Sequence, residues 1–264
     1  LGLYMYSRFN ACVKEVRSHI ESYRFNDGAT SLYRFLWGEF CDWGIELSKA
    51  DKSSVKELGS IFKESMKLLH PYMPFISENL YQELSDTTLE DNTSIMIKPY
   101  PKAVNQDEKI EEKFSLIIES IVGIRRAKAT LDINGKIEDA SIKLNKQGAL
   151  SEDEKPFIKL LGKVENISFV ETKLENAVLD VCDNLEVYIP LKGVDLTPII
   201  NRLNAQKVKL EKEVLKLDGM LKNERFVANA PKEVVEQNQA QLNDAREKLN
   251  KVEQELATIT NQKG

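Results

Sequence analysis

The chain has 264 residues, 42% hydrophobic and 30% charged, with a net charge of −5. That length allows one large domain or two or three small ones, and the lack of any long apolar run excludes a helical membrane span. The acidic balance argues against nonspecific nucleic-acid binding but says nothing about local patches. The three cysteines, Cys12, Cys41 and Cys182, include no C-x-x-C pair, so neither a disulfide framework nor a zinc site is expected; free thiols in a reducing compartment are. No signal-peptide order opens the chain. It begins at Leu1 with a helical pattern running by Met5, as a piece of a longer cytoplasmic polypeptide would.

The first helix is read from Met5, Phe9, Cys12, Val13, Val16, Ile20 and Tyr23, which share one face. "RFNDGAT" breaks it, with Asn26 or Asp27 as N-cap of the next. That second helix carries Ala29, Leu32, Tyr33, Leu36, Phe40, Trp43 and Leu47 on one stripe, while Phe35, Trp37, Cys41 and Ile45 fall outside it. A helix apolar on several sides is usually central in a bundle. Ser54-x-x-Glu57 has the form of a capping box opening a third helix, continued by Val55, Leu58, Ile61, Phe62, Met66 and Leu69. "HPYMPF" ends it, and His70 is placed to cap carbonyls there. Pro74 suits the first turn of a fourth helix bearing Phe75, Ile76, Leu80, Tyr81 and Leu84.

"SIMIKPYP" reads as a short strand ended by prolines. A longer helix follows on Ile110, Phe114, Ile117, Ile121 and Ile124, ending in the basic cluster Arg125, Arg126 and Lys128. The pattern then turns to period two in "ASIKLN", "ENISFVET", "AVLDVC" and "LEVYIPL", with a short helix capped by Ser151-x-x-Glu154 between the first two. From Leu196 two heptad seams appear: Ile200, Leu203, Lys207, Leu210, Val214, Leu217 and Leu221, then Val235, Asn238, Leu242, Ala245, Leu249, Val252, Leu256 and Ile259. Folded back antiparallel, Leu221 meets Val235, Leu217 meets Asn238, Leu210 meets Ala245, Leu203 meets Val252 and Ile200 meets Leu256. Every layer closes, so a hairpin of roughly 40 Å is expected. Phe226 and Val227 would plug its tip, and Pro231 would open the return helix. The expected fold is therefore mainly α: an antiparallel helical bundle over 1–104, a small α+β unit over 105–193 and a coiled-coil hairpin over 194–264.

No enzyme site is legible. His19 and His70 have structural readings, and neither a phosphate loop nor a cluster with metal-ligand spacing is present. The first hairpin arm is more informative, locally +3 with six basic residues against Glu211, Glu213 and Asp218. A solvated coiled-coil face is the ordinary reading of such charge. Lys207 is unusual in occupying a seam position, where its ammonium must snorkel out. In the bundle, Arg8, Arg17, Arg24 and Arg34 have aromatic neighbours, the combination with which proteins grip unstacked RNA bases. By periodicity Phe9, Tyr23, Tyr33 and Trp43 belong to the core, while Phe25, Phe35 and Trp37 are open.

"SRFNACVKEV", "YRFNDGATSLYRFLWGEFCDWGIELSK", "LHPYMPFISENLYQEL" and "SIMIKPYP", in that order, resemble the anticodon-binding bundle of class I aminoacyl-tRNA synthetases. "IVGIRRAKATLDI" and "NERFVANAPKEVVEQNQAQL" are similar to the valyl-tRNA synthetase family in particular. Two departures are Gly44, where the family usually has a larger residue, and "YMYSRFN", where it commonly has a Trp before Ser-Arg.

The resemblance implies a tRNA-binding portion, with the bundle on the anticodon loop and the hairpin on the outer corner of tRNA(Val). Within that reading, expected exposure and residue type select Arg8, Asn26, Arg34, Trp37, Glu39 and Asp42 as bundle contacts, and Arg202, Lys209, Lys212, Lys216, Lys222, Arg225 and Lys232 as arm contacts. The His-Ile-Gly-His and Lys-Met-Ser-Lys-Ser type signatures do not occur, so no aminoacylation centre is expected. No cofactor is expected either; the family's ATP with magnesium would act elsewhere. A monomer with no membrane or DNA partner is expected. The competing reading is a coiled-coil protein-interaction scaffold; a standalone hydrolase or transferase has no motif behind it.

Overall fold

A computed structural model describes residues 1–88, 90, 93–146, 148–191, 197–223 and 232–261. The bundle consists of α1 (Gly2–Glu21), α2 (Phe25–Tyr33), a π-helical segment (Arg34–Ile45), α3 (Val55–Leu69) and α4 (Pro74–Ser85). The face read from α1 is buried at Met5, Phe9, Cys12, Val13 and Val16. Tyr23 is not part of it. It lies past the helix end with φ 58° and is 84% exposed. α2 starts earlier than expected: its N-cap is Arg24, not Asn26 or Asp27, and Asp27 in the first turn accepts from Arg24 Nε at 2.6 Å.

The π-helical segment explains the apolar residues that fitted no single stripe. An i→i+5 ladder widens each turn, so Phe35 and Phe40, five apart, both enter the core. Tyr33, expected inside, is exposed instead. Gly44 lies beneath Met5: a Cβ there would meet Met5 Sδ at 3.3 Å, so the methionine occupies the space a larger residue would need.

Three local readings change. Ser54 forms no capping box; its Oγ donates to the Asp51 carbonyl at the end of a 3-10 turn. His70 does not cap carbonyls, since its Nδ1 lies 2.8 Å from Ser77 Oγ. "SIMIKPYP" forms a 3-10 turn (Ile95–Ile97), not a strand. The Glu78 carboxylate accepts from the Ile95 amide and from Ser94 Oγ, replacing a sheet neighbour as the partner of that backbone. Pro74 does sit in the first turn of α4, yet Phe75, Ile76 and Leu84 are exposed, and the helix faces inward through Ser77, Tyr81 and Gln82.

α5 (Glu108–Thr130) is capped by Asp107, which accepts from the Ile110 amide. Its Phe114, Ile117, Ile121 and Ile124 are buried as read. The period-two segments form β1 (Ile137–Leu144), β2 (Val164–Val170), β3 (Ala177–Val181) and β4 (Leu185–Pro190) in the order β2-β1-β4-β3. β1 and β2 are parallel, connected by α6 (Lys155–Gly162), and β4 is antiparallel to β1 and β3. The Ser151–Glu154 capping box forms just before α6. Gly123 allows α5 to lie close on the sheet, because a Cβ there would come within 2.8 Å of Val187 Cγ2. One buried cluster runs from Met5 and Phe9 through Phe114 and Ile121 to Ile142 and Val187, crossing the expected boundary at 104/105 without a break.

The seams form α7 (Thr197–Lys222) and α8 (Lys232–Asn261), packed together with Leu203, Leu217, Leu242, Ala245 and Val252 buried. The tip residues Phe226, Val227 and Pro231 lie outside the described residues. A second buried cluster holds the base of the hairpin. Leu203 and Val252 join Ala127, Leu131, Val178, Ile189 and Leu191, with Ile200 and Leu256 packed against them.

Candidate nucleic-acid interface

In the bundle, α1 and the π-helical segment bring Arg8 and Glu39 together. Arg8 donates to both Glu39 oxygens, at 2.7 and 2.9 Å, and to Glu111 of α5 at 2.8 Å. Hydrogen bonding to Glu39 pushes the guanidinium pKa up, against burial. Burial pushes the Glu111 carboxyl up, but hydrogen bonds from Ser7 and Arg8 outweigh it and hold the group below the usual carboxylate range. Tyr4 stacks on Phe114 at 4.5 Å, and burial, with Glu39 nearby, raises its hydroxyl to about 12. This knot ties α1, the π segment and α5 together. Glu111, which sequence reading missed, closes it, and no spacing signal pointed to it.

The other bundle candidates stand apart. Arg34 pairs with Glu15 at 2.5 Å on an exposed face. Trp37 is exposed and stacks on Tyr33, ring centroids 6.4 Å apart and 5° from parallel. Asn26 and Asp42 are exposed and share no hydrogen bond or ion pair with the other four among the described residues. Phe25 is exposed beside Tyr23, so Tyr23, Phe25, Tyr33 and Trp37 are open among the aromatics next to the bundle arginines, a set only partly legible in the sequence. Arg17 is structural, lying over the Tyr100 ring and donating to the Pro101 carbonyl.

The cluster at the end of α5 is absorbed by the fold. Arg125 donates to the Leu161 carbonyl, and Lys128 Nζ to Gly162 and Lys163, so both cations sit at the C-terminal end of α6. Arg126 pairs with Asp180 at 2.7 Å.

On the arm, Lys207 behaves as its seam position requires. Its stem is half-buried, and its ammonium reaches Glu253 of α8 at 2.9 Å. The hydrogen bond to Glu253 raises its pKa. Arg202 pairs with Asp132 beside the buried base at 2.9 Å, and Lys222 with Asp218 at 2.7 Å. Lys209, Lys212 and Lys216 are exposed and carry no ion pair among the described residues. Arg225 and the side chain of Lys232 lie outside the described residues.

Comparison with known proteins decides between the two readings of this surface. Residues 3–144 match the family model "anticodon-binding domain of tRNA ligase", and residues 195–260 match "valyl tRNA synthetase tRNA binding arm". The chain belongs to the valyl-tRNA synthetase family. It is 59% identical to the valine–tRNA ligase of a Nitratiruptor species over 261 residues, covering 98% of this chain and 30% of that relative. Identity is 59% with the Campylobacter jejuni (strain RM1221) ligase over 240 residues, 90% of this chain and 28% of the relative. It is 33% with the Thermotoga maritima ligase over 264 residues, 96% and 30% respectively. The chain thus spans about 30% of the length of the curated relatives it matches. The arm match falls on α7 and α8, and the anticodon-binding match runs from α1 through β1. No group of His, Cys, Asp and Glu suited to a metal ion occurs among the described residues, and no helix there is long and apolar enough to cross a membrane.

Proposed function

We propose that this chain is the tRNA-holding portion of a valine–tRNA ligase, acting in the cytoplasm as a monomer on tRNA(Val). The observation that carries this reading is the presence, in one chain, of the anticodon-binding match at 3–144 and the arm match at 195–260. The bundle takes the anticodon loop, offering Tyr33, Trp37, Phe25 and Tyr23 as stacking surfaces beside Arg34, Asn26 and Asp42. The arm takes the outer corner of the tRNA. Neither contact is chemical; both place the acceptor end in the catalytic portion carried by the longer relatives, a contribution of positioning. The tRNA-holding portion uses no cofactor of its own, and ATP with magnesium acts in that other portion. The two seams cover each other, which supports a monomer.

Binding of this chain to a tRNA carrying the valine anticodon, titrated with salt, tests the reading. Phosphate contacts give a log–log slope of roughly −0.7 to −0.9 per ion pair. Replacing Trp37 with Ala is expected to weaken the valine tRNA more than a tRNA with another anticodon. No binding at low salt, or equal binding of every tRNA by parent and variant alike, refutes the proposal.

A further inference from the structure

The charges on α7 are sorted by face. Opposite its seam, at sevenfold spacing, lie Arg202, Lys209 and Lys216; beside them Lys212; and on the adjoining strip Val208, Leu215 and Lys222. The three acids of the helix, Glu211, Glu213 and Asp218, flank the seam instead. Two of them are used internally: Glu211 faces Lys207 at 3.8 Å, and Asp218 takes both Lys222 and Arg246 of α8. α8 is different. Its exposed cations Lys248 and Lys251 pair with Asp244 and Glu247 at 2.5 and 2.9 Å. Among the described residues, an approaching polyanion therefore meets three unpaired cations on α7, Lys209, Lys212 and Lys216, and paired ones on α8. Within the cationic strip, Leu215 is 72% exposed and Val208 48%, one heptad apart and off the seam, so hairpin closure does not account for them.

We propose that this outer face of α7 is the arm's RNA-contacting surface, with Lys209, Lys212 and Lys216 on phosphates and Leu215 and Val208 against exposed base surface. The inference rests on the tRNA reading above and adds to it which helix faces the RNA and which apolar side chains touch it. Lys209 and Lys216 stand about 10 Å apart along the helix axis, and Leu215 lies beside Lys212 and Lys216 on the same side. Phosphate contacts hold a backbone in place without reading it. A short aliphatic side chain set among them adds an apolar contact to an unstacked base or to the open face of a terminal base pair, as apolar wedges do at base steps.

The test uses the full 264-residue chain and a tRNA(Val) transcript at several salt concentrations. Lys212→Gln is expected to weaken binding and to flatten the log–log slope by about 0.7 to 0.9. Leu215→Ser is expected to weaken binding about tenfold at every salt concentration with the slope unchanged, the signature of lost apolar contact. Lys248→Gln and Lys251→Gln on α8 are expected to change neither quantity. All these positions are exposed, so folding is not at stake. If the α8 variants cost as much as the α7 ones, or Leu215→Ser leaves affinity intact, the inference falls while the tRNA reading stands. If the parent chain does not bind, both fall.

Discussion

Removing Leu203 from the base of the hairpin tests how the arm is held. Leu203 is 3% exposed and packs in the cluster formed by Ala127 and Leu131 of α5, Val178 and Ile189 of the sheet, Leu191, and Val252. Leu203→Ala leaves a cavity among side chains fixed by four other elements. Such truncations cost about 2–5 kcal/mol, and with neighbours this constrained a loss of about 3 kcal/mol is expected. The exposed Arg202–Asp132 pair at the rim offsets little of it. Leu217, Leu242 and Ala245 are buried elsewhere in the hairpin, so α7 and α8 stay paired with each other. The loss therefore appears as undocking of the arm: about 3 kcal/mol lowers the docked-to-undocked ratio roughly a hundredfold. Hydrogen exchange should accelerate at the base of α7 and α8 and in β3, but not in α1 or the first turns of α5. Affinity for an isolated anticodon stem-loop should stay unchanged, while affinity for whole tRNA falls because the second contact loses effective concentration. Leu215→Ala, at an exposed position, should leave exchange everywhere unchanged. If protection falls uniformly through bundle and arm, the base is not a separable anchor. If it does not fall at the base, the cluster does not hold the arm.

Gly123→Ala forces a methyl group to within 2.8 Å of Val187 Cγ2 and 2.9 Å of Cys182 Sγ, so thermal unfolding should show a loss of about 1–3 kcal/mol where α5 meets the sheet. Lys128 is buried against the end of α6, and desolvation, with Lys163 and Arg125 nearby, holds its pKa below the ordinary lysine value. Between that lowered value and about 10.4 the unfolded chain binds more protons, so this group makes stability rise with pH there; Lys128→Met should remove that rise from alkaline unfolding curves. Burial pushes the Glu154 carboxyl up, but hydrogen bonds from Lys113 and Ser151 outweigh it and hold the group below its ordinary value. Its stabilisation is complete above about pH 5 and lost as pH falls through the folded value. The stability gap between parent and Glu154→Gln should therefore close on acidification, and a gap independent of pH would refute this.

The hairpin was legible because a heptad seam is a numerical object. Leu203 and Val252 could be paired from position alone, and both are buried in one cluster. The strands were legible for the same reason, since period two survives in 137–144 and 185–190 without knowledge of their neighbours. The π-helical segment was not. An i→i+5 ladder uses the same residue types as an α-helix, and only the pairing of Phe35 with Phe40 betrays it. That error placed Tyr33 in the core and left Phe35 open, reversing two of the aromatics weighed as stacking surfaces. Arg8 looked like an RNA contact because it is a cation beside aromatics. Its two carboxylates lie 31 and 103 residues away, at distances no local pattern encodes. Leu215 and Val208, in contrast, could have been found: an apolar residue recurring every seven positions off the seam is a second periodicity in α7 that hairpin closure does not need.

The two absorbed arginines have a common consequence. Arg8 joins the bundle to Glu111 in the first turn of α5, and Arg202 joins the arm to Asp132 just past its last turn. Between them α5 runs 23 residues without interruption, about 35 Å, with Tyr4 stacked on Phe114 at one end and Leu203 packed with Ala127 and Leu131 at the other. Under the proposed function, bundle and arm each grip a different part of one rigid RNA. Two grips at a fixed span bind with an effective concentration that a flexible joint would dilute. A single continuous helix, tied to the bundle by Arg8–Glu111 and Tyr4–Phe114 and to the arm by the buried Leu203 cluster, meets that need, since the arm cannot shift along it without breaking buried contacts. Arg8 and Arg202 thus tie bundle and arm to the same helix, while Lys209, Lys212 and Lys216 on α7 carry no ion pair among the described residues.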